Sequence, residues 1–342
     1  MPELLERLQE GPVICAEGYL FELERRGYLQ AGGFVPEVVL EHPEKVAELH
    51  REFVHAGSDV VEAFTYYAHR EKLRLIGKEE LLEEINRQAL RIAAEVARES
   101  GAMLAGNVCN TNVYGGQESR DTVRRMFEEQ VGWAVEAGVD FVIAETISWL
   151  GEAEVATEVI KATGLPAVVT LTAHKDPDMR EGVPPAEACR RLEAAGADVV
   201  GLNCSRGPAT MLPLLREVRG AVSVSVAALP VPYRTTEEQP SFQSLEDSAS
   251  TTFPGDRPFP TALDPFTCNR YEIADFARAA YELGVRYLGV CCGAAPHHIR
   301  SVAEALGRTP PASRYSADMS KHAYLGTDDS LRDENREYAE RL

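Results

Sequence analysis

Residues 122–145 read TVRRMFEEQVGWAVEAGVDFVIAE. Through Ala137 the apolar residues recur at steps of three and four, which gathers them on one face of a helix. Gly138 then supplies the glycine stop common at helix ends. A short apolar run, DFVIAE (140–145), follows and ends on a carboxylate, Glu145. Its length suits a strand. The stretch is one helix-to-strand step, and the step recurs.

Eight runs read as strands: PVICA (12–16), DVVEAF (59–64), AMLAGNV (102–108), DFVIAE (140–145), AVVTLT (167–172), DVVGLN (198–203), VSVSVA (222–227) and RYLGV (286–290). Amphipathic, charged stretches separate them, among them KEELLEEINRQALRIAAEVARES (78–100), PPAEACRRLEAAG (184–196) and RYEIADFARAAYELG (270–284). Eight strand–helix units predict an α/β fold, a (β/α)8 TIM barrel. A doubly wound open sheet is the alternative, and it normally brings a glycine-rich phosphate loop after an early strand. No G-x-G-x-x-G or Walker loop occurs. The expected catalytic domain is residues 1–308. Within it, residues 230–269 are rich in Pro, Ser, Thr and Asp and form a long loop before the eighth strand, a lid or a surface excursion. Residues 309–342 are a polar C-terminal tail, helix-like from about Leu331.

The chain has 342 residues and a formal net charge of −19. That charge opposes nucleic acid, which needs clustered Lys and Arg, and opposes an anionic membrane surface. Small-molecule substrates are the expected partners. Seven cysteines are an odd number in a long chain, unlike a secreted disulfide scaffold. The opening MPELLERLQEGPVICAEG is charged and lacks a signal-peptide core. No run approaches the ~18 apolar residues of a membrane span. A reducing cytoplasm is the expected compartment.

In a barrel, reactive groups sit at the C-terminal ends of strands. Cys204 ends the sixth run, and Cys291 and Cys292 end the eighth. Neighbouring residues of a regular strand face opposite ways, so two adjacent thiols mark its irregular end. Three thiolates and an open position make a catalytic type of zinc site, with Gly293 relieving the tight backbone. The same thiols read equally as small buried hydrophobes. Cys15, Cys189 and Cys268 read as core, and Cys109 as rim-placed.

GLNC (201–204) and GVCCG…PHHIR (289–300) resemble the homocysteine S-methyltransferase family, and within it the betaine-using branch. The resemblance runs from about Gly11 to the end. It includes FELERRGYLQAG (21–32), EHPEKVAELHREFVHAGSDV (41–60), AFTYYAHREKL (63–73), VDFVIAE (139–145), GVPPAEA (182–188) and ELGVRYLGVCCG (282–293). It implies one zinc ion held by Cys204, Cys291 and Cys292, with the thiol of homocysteine as fourth ligand and attacking group. It implies that Phe34, Tyr66 and Tyr67 line a glycine betaine pocket, since a quaternary ammonium is best held by aromatic faces. It gives Glu145 to the amino group of homocysteine and Asn203 to orienting the site. Catalysis is thus expected from Cys204, Cys291, Cys292 and Glu145. Substrate binding is expected from Glu17, Gly18, Phe34, Tyr66, Tyr67, Glu145 and Asn203. His69, His174, His297 and His298 read as bland or as helix-start residues.

The chain departs from that family at the substrates. Its first strand ends in Ala16-Glu17 where the family has Asp-Gly, so Glu17 is expected to supply the carboxylate from one position over. Phe34 stands for a tryptophan, Thr146 for a tyrosine and Val290 for a glycine. Other readings stay open. They are a sulfonium donor (S-methylmethionine or dimethylsulfoniopropionate), a different acceptor, a barrel enzyme of another class, or a non-catalytic zinc protein. The oligomeric state is left open, because the C-terminal extension used for assembly in animal members is shortened.

Overall fold

Short runs of Val, Ile, Leu and Ala, each followed by an amphipathic helix, can bury both faces of a strand only in a parallel sheet covered by helices. The computed structural model, which describes residues 3–247 and 257–342, has this architecture. The strands are β1 (Val13–Ala16), β2 (Val60–Glu62), β3 (Met103–Cys109), β4 (Phe141–Ile147), β5 (Ala167–Leu171), β6 (Val199–Asn203), β7 (Ser225–Leu229) and β8 (Tyr287–Val290). Each pairs in parallel with the next, and β8 pairs with β1, so the sheet closes in sequence order. Every strand residue except Ser225 is buried. The protein is a (β/α)8 TIM barrel.

The helix Arg120–Glu136 buries Val123, Phe127, Val131 and Ala134, and Gly138, whose φ is 74°, turns the chain just beyond its end. β4 follows. It runs two residues beyond the expected Glu145, and its register with β5 shifts between Ala144 and Ile147. Thr146, at φ 57°, lies inside that bulge. A bulge re-aims side chains at a strand end, and this one sits beside Glu145.

β7 starts three residues later than the sequence suggests. Its expected first residues, 222–224, are claimed by side chains of neighbouring helices. Arg219 donates to the Val224 carbonyl at 2.7 Å, and Glu193 accepts the N–H groups of Ser223 and Val224 at 2.9 and 3.1 Å.

The barrel register pairs Ala16 with Val290, Cys109 with Glu145 and Asn203 with Leu229. The strand ends therefore meet on one rim. Part of the 230–269 loop, residues 248–256, lies outside the described residues. The rest packs onto the rim through buried Val231, Tyr233, Phe242, Leu245 and Leu263. Tyr233 also bridges Thr267 in antiparallel fashion. Beyond the helix Pro296–Ala305, a 3-10 turn at Pro311–Tyr315 packs against the helix Pro43–Ala56, and a short helix spans Asp333–Ala339. Among the described residues, no helix is long and apolar enough to cross a membrane.

Candidate active site

Cys204 follows β6 directly at φ 57°, and Ser205 follows at φ 60°. Left-handed backbone at a non-glycine residue costs on the order of 1 kcal/mol and persists where the surroundings impose it. Phe34, Tyr67, Asn112 and Thr146 share this conformation. All four, and Cys204, line the same pocket. The strain is therefore concentrated on one rim.

The thiol pair after β8 is tied down by backbone. The Cys291 N–H donates to the Pro230 carbonyl, and its carbonyl accepts from Ala294, each at 2.9 Å. Gly293 turns at φ 94°, and a Cβ there would collide with the Tyr233 phenol. Gly18 offers the site no side chain; a Cβ on it would strike the Ala294 carbonyl, so it lets β1 approach the thiol loop. The sulfur atoms of Cys204, Cys291 and Cys292 lie within 4.8 Å of one another. Tetrahedral zinc with Zn–S bonds of about 2.3 Å sets its sulfur ligands about 3.8 Å apart, so the spacing suits one ion. Hydrogen bonds from Cys291, then Cys292, hold the Cys204 thiol well below its ordinary range, while burial pushes Cys291 up. The trio can hold a soft metal ion.

Carboxylates and amides lie next to the thiols. Asn203 Nδ2 is 2.8 Å from Glu145 Oε2, 3.1 Å from Glu17 Oε2 and 3.8 Å from the Cys291 sulfur. Its Oδ1 accepts the Thr146 N–H at 2.9 Å. Asn107 Nδ2 donates to Glu145 Oε1 at 2.7 Å and also to Glu62 Oε1. Glu17, Glu62 and Glu145 are all buried. Burial, then the neighbouring carboxylate charges, push Glu17 and Glu62 upward. Burial raises Glu145 to about 7, against the hydrogen bond from Asn107.

A pocket of about 230 Å³ opens beside the thiols, with Cys204 and Cys292 in its wall. Phe21, Phe34, Tyr66, Tyr67, Phe242 and Phe259 line it. Tyr66 and Tyr67 have ring centroids 4.3 Å apart, Phe21 and Phe34 5.8 Å, and Phe242 and Phe259 4.8 Å. The Tyr67 N–H donates to the Cys109 sulfur at 3.2 Å, which gives that buried cysteine a structural role. Arg180 lines the pocket too, 5.6 Å from the Trp149 ring, and makes no salt bridge among the described residues. His174, read as bland from sequence, is also in the wall. Its ring nitrogens lie 3.0 Å from Ser148 Oγ and 3.2 Å from Ser205 Oγ. His298 caps its helix instead, accepting the Ala295 N–H at 3.1 Å.

The structure thus brings Glu17, Phe34, Tyr66, Tyr67, Glu145, Asn203, Cys204, Cys291 and Cys292 together on one rim, whereas His298 lies at its helix start. A sequence model of the homocysteine S-methyltransferase family matches residues 14–306. The chain belongs to that family. It is 41% identical over 331 residues to betaine–homocysteine S-methyltransferase 1 of Danio rerio, covering 95% of this chain and 80% of that protein. It is 35% identical to the S-methylmethionine–homocysteine S-methyltransferase of Pongo abelii, covering 99% of this chain and 92% of that protein. The metallated form of the homocysteine methyltransferase MmuM of Escherichia coli superposes with a TM-score of 0.67 at 17% identity, over 86% of this chain and 96% of that one. At that identity the likeness speaks for the fold.

Membership in the homocysteine S-methyltransferase family makes the chain a methyltransferase. Sequence reasoning missed several residues of its rim. Glu62 and Asn107 sit inside apolar runs. Phe242 and Phe259 belong to a loop without periodicity, and Phe21 to a helix. Arg180 and His174 follow the fifth run, where a rim position was the available signal.

Proposed function

We propose that the protein moves a methyl group from a small cationic donor, glycine betaine first, to the thiol of homocysteine, giving methionine, with zinc held by Cys204, Cys291 and Cys292. The observation that carries this reading is three convergent thiols, two of which, Cys204 and Cys292, stand in the wall of an aromatic pocket. Zinc in such a site offers an open position and keeps a thiol placed there deprotonated near neutral pH.

The chain's own residues do the rest. Phe34, Tyr66 and Tyr67 hold the onium group by their faces. Lys72 lies 4.0 Å over one face of the Tyr67 ring. Arg180, without a carboxylate of its own, receives the acid end of a zwitterionic donor. Glu145 and Glu17 hold the amino group of the acceptor, and Asn203 spaces the two carboxylates. The acceptor sulfur then attacks the methyl carbon in line. The S–C bond forms, the C–N bond breaks, and its electron pair stays on nitrogen, which leaves as a neutral amine. The aromatic walls exclude water, which strengthens the attraction between thiolate and cation.

A second reading keeps the same chemistry with a sulfonium donor, favoured by the named activity of the Pongo abelii relative. An aromatic cage holds either cation. We assign residues 1–308 to the catalytic barrel. We place the protein in the cytoplasm, where its seven unpaired cysteines stay reduced. The test is kcat/KM for methionine formation from homocysteine with glycine betaine, S-methylmethionine and dimethylsulfoniopropionate, with Cys291→Ala as control. The highest value with betaine supports the first reading. A sulfonium ahead of it supports the second. No methionine from any donor with zinc bound overturns both.

A further inference from the structure

The segment leaving β7, residues 230–233, stands between the two turns that carry the thiols. On the β6 side, the Val231 N–H donates to the Arg206 carbonyl at 3.0 Å. A Cβ on Gly207 would strike the Tyr233 carbonyl, so the turn that begins at Cys204 rests on the Tyr233 backbone. On the β8 side, the Pro230 carbonyl accepts the Cys291 N–H at 2.9 Å, and the Tyr233 phenol occupies the space a side chain on Gly293 would need. The same segment therefore braces Cys204 from one side and Cys291 and Cys292 from the other.

Tyr233 is fully buried, and its phenol is tied to a charge. Arg25, at the end of the helix Tyr19–Arg25, donates through Nη2 to the phenol oxygen at 2.7 Å and through Nη1 to the Gly293 carbonyl at 3.3 Å. A guanidinium is a planar, rigid fork of donors, so it fixes the two acceptors at a set separation. The Tyr233 ring also stacks on Phe242, with centroids 6.0 Å apart and planes at 24°, and Phe242 lines the aromatic pocket. Cys204 itself holds left-handed backbone, which persists only where the surroundings impose it. Residues 230–233 are part of those surroundings.

We propose that Tyr233, held by Arg25, is a positioning residue: it sets the spacing of Cys204 against Cys291 and Cys292 and fixes both thiol turns relative to the aromatic wall of the pocket. The inference rests on the metal reading above, because it takes the spacing of the three sulfurs to serve one ion. Its consequence is distinct. Two residues that carry no sulfur, and that touch neither substrate, decide how the sulfur ligands are aimed.

The test loads the protein with cobalt(II) in place of zinc, because thiolate-to-cobalt and d–d absorption report how the sulfur ligands are set. Tyr233→Phe keeps the ring on Phe242 and removes the phenol oxygen, and Arg25→Met removes the fork. Each is expected to shift the d–d bands, and to lower kcat about tenfold while KM for the donor stays within about twofold, since the rate depends on the placement of the reacting groups. The double variant is expected to be no worse than Tyr233→Phe alone, because the two residues act as one unit. Tyr287→Phe, which removes a buried phenol oxygen at the start of β8, is expected to leave the spectrum unchanged. Unchanged bands in both single variants overturn the proposal, whatever stability the variants lose, since a merely structural role would lower stability alone. Losses that simply add in the double variant overturn it as well. A wild type without thiolate-to-cobalt absorption overturns the metal reading and this inference together. Variants that match a wild type showing that absorption refute the inference and spare the metal reading.

Discussion

The side-chain amide of Asn203 lies 2.8 Å from the Glu145 carboxylate, joining the end of β6 to the end of β4. The same amide nitrogen has Glu17, Thr146 Oγ1 and the Cys291 sulfur within reach, but it carries two hydrogens. Asn203 therefore sets how far apart two buried carboxylates stand. Asn203→Ala removes both donors and leaves Glu145 and Glu17 facing each other. The expected loss is about 1–3 kcal/mol of stability, read by denaturant unfolding, together with weaker homocysteine binding by calorimetry.

Metal content tests the three thiols directly. Cys204→Ala, Cys291→Ala or Cys292→Ala leaves two sulfur ligands in each case, too few for a closed structural or catalytic zinc set. Purified variants are expected to carry little zinc by mass spectrometry of the metal, against about one per chain in the wild type. Cys109→Ala, at a thiol that accepts the Tyr67 N–H, is expected to keep its zinc.

The donor pocket separates two kinds of recognition. Arg180→Gln is expected to raise KM about tenfold for glycine betaine, whose carboxylate it would lose, and to leave the thiol KM unchanged. Phe34→Leu is expected to raise KM for betaine and sulfonium donors alike, because it removes one aromatic face from the cation and leaves the carboxylate contact untouched. Initial rates with each substrate varied in turn make the distinction.

Acid stability reports on His50. Its ring is buried against Tyr19, with centroids 4.8 Å apart, and neither nitrogen has a partner. Burial, then the nearby Arg51 charge, lower its pKa from 6.5 to about 3. The unfolded chain thus binds a proton that the folded chain refuses between those values. The contribution is fully present above about pH 6.5 and is lost as pH falls toward 3, by about 1.4 kcal/mol per unit. His50→Phe keeps the edge contact and cannot charge. Its unfolding free energy, followed from pH 7 to 4, is expected to fall less steeply than that of the wild type.

What could be read in the sequence follows from periodicity. The helix at 122–138 and the run ending in Glu145 show the barrel step plainly. The adjacent Cys291 and Cys292 stand out because they break the alternation of a strand. Glu62 does not, although its charge is visible inside DVVEAF. Which face it takes depends on register, and only closure of the barrel, with Glu62 opposite Ala105, sets that. The bulge at Thr146 arises where β4 meets β5 and has no local signal. Phe242 and Phe259 reach the pocket from a loop that carries no period at all. His174 could have been found, since it follows the fifth strand and stands on the rim where barrel chemistry collects.

The most direct measurement is methyl transfer itself, with glycine betaine carrying trideuterated methyl groups, homocysteine and zinc-loaded protein, read by mass spectrometry of methionine. The account predicts methionine bearing the intact trideuterated methyl, formed by the wild type and absent with Cys291→Ala. Protein that keeps its zinc yet gives no labelled methionine, from betaine or from the equivalently labelled sulfonium donors, would contradict it.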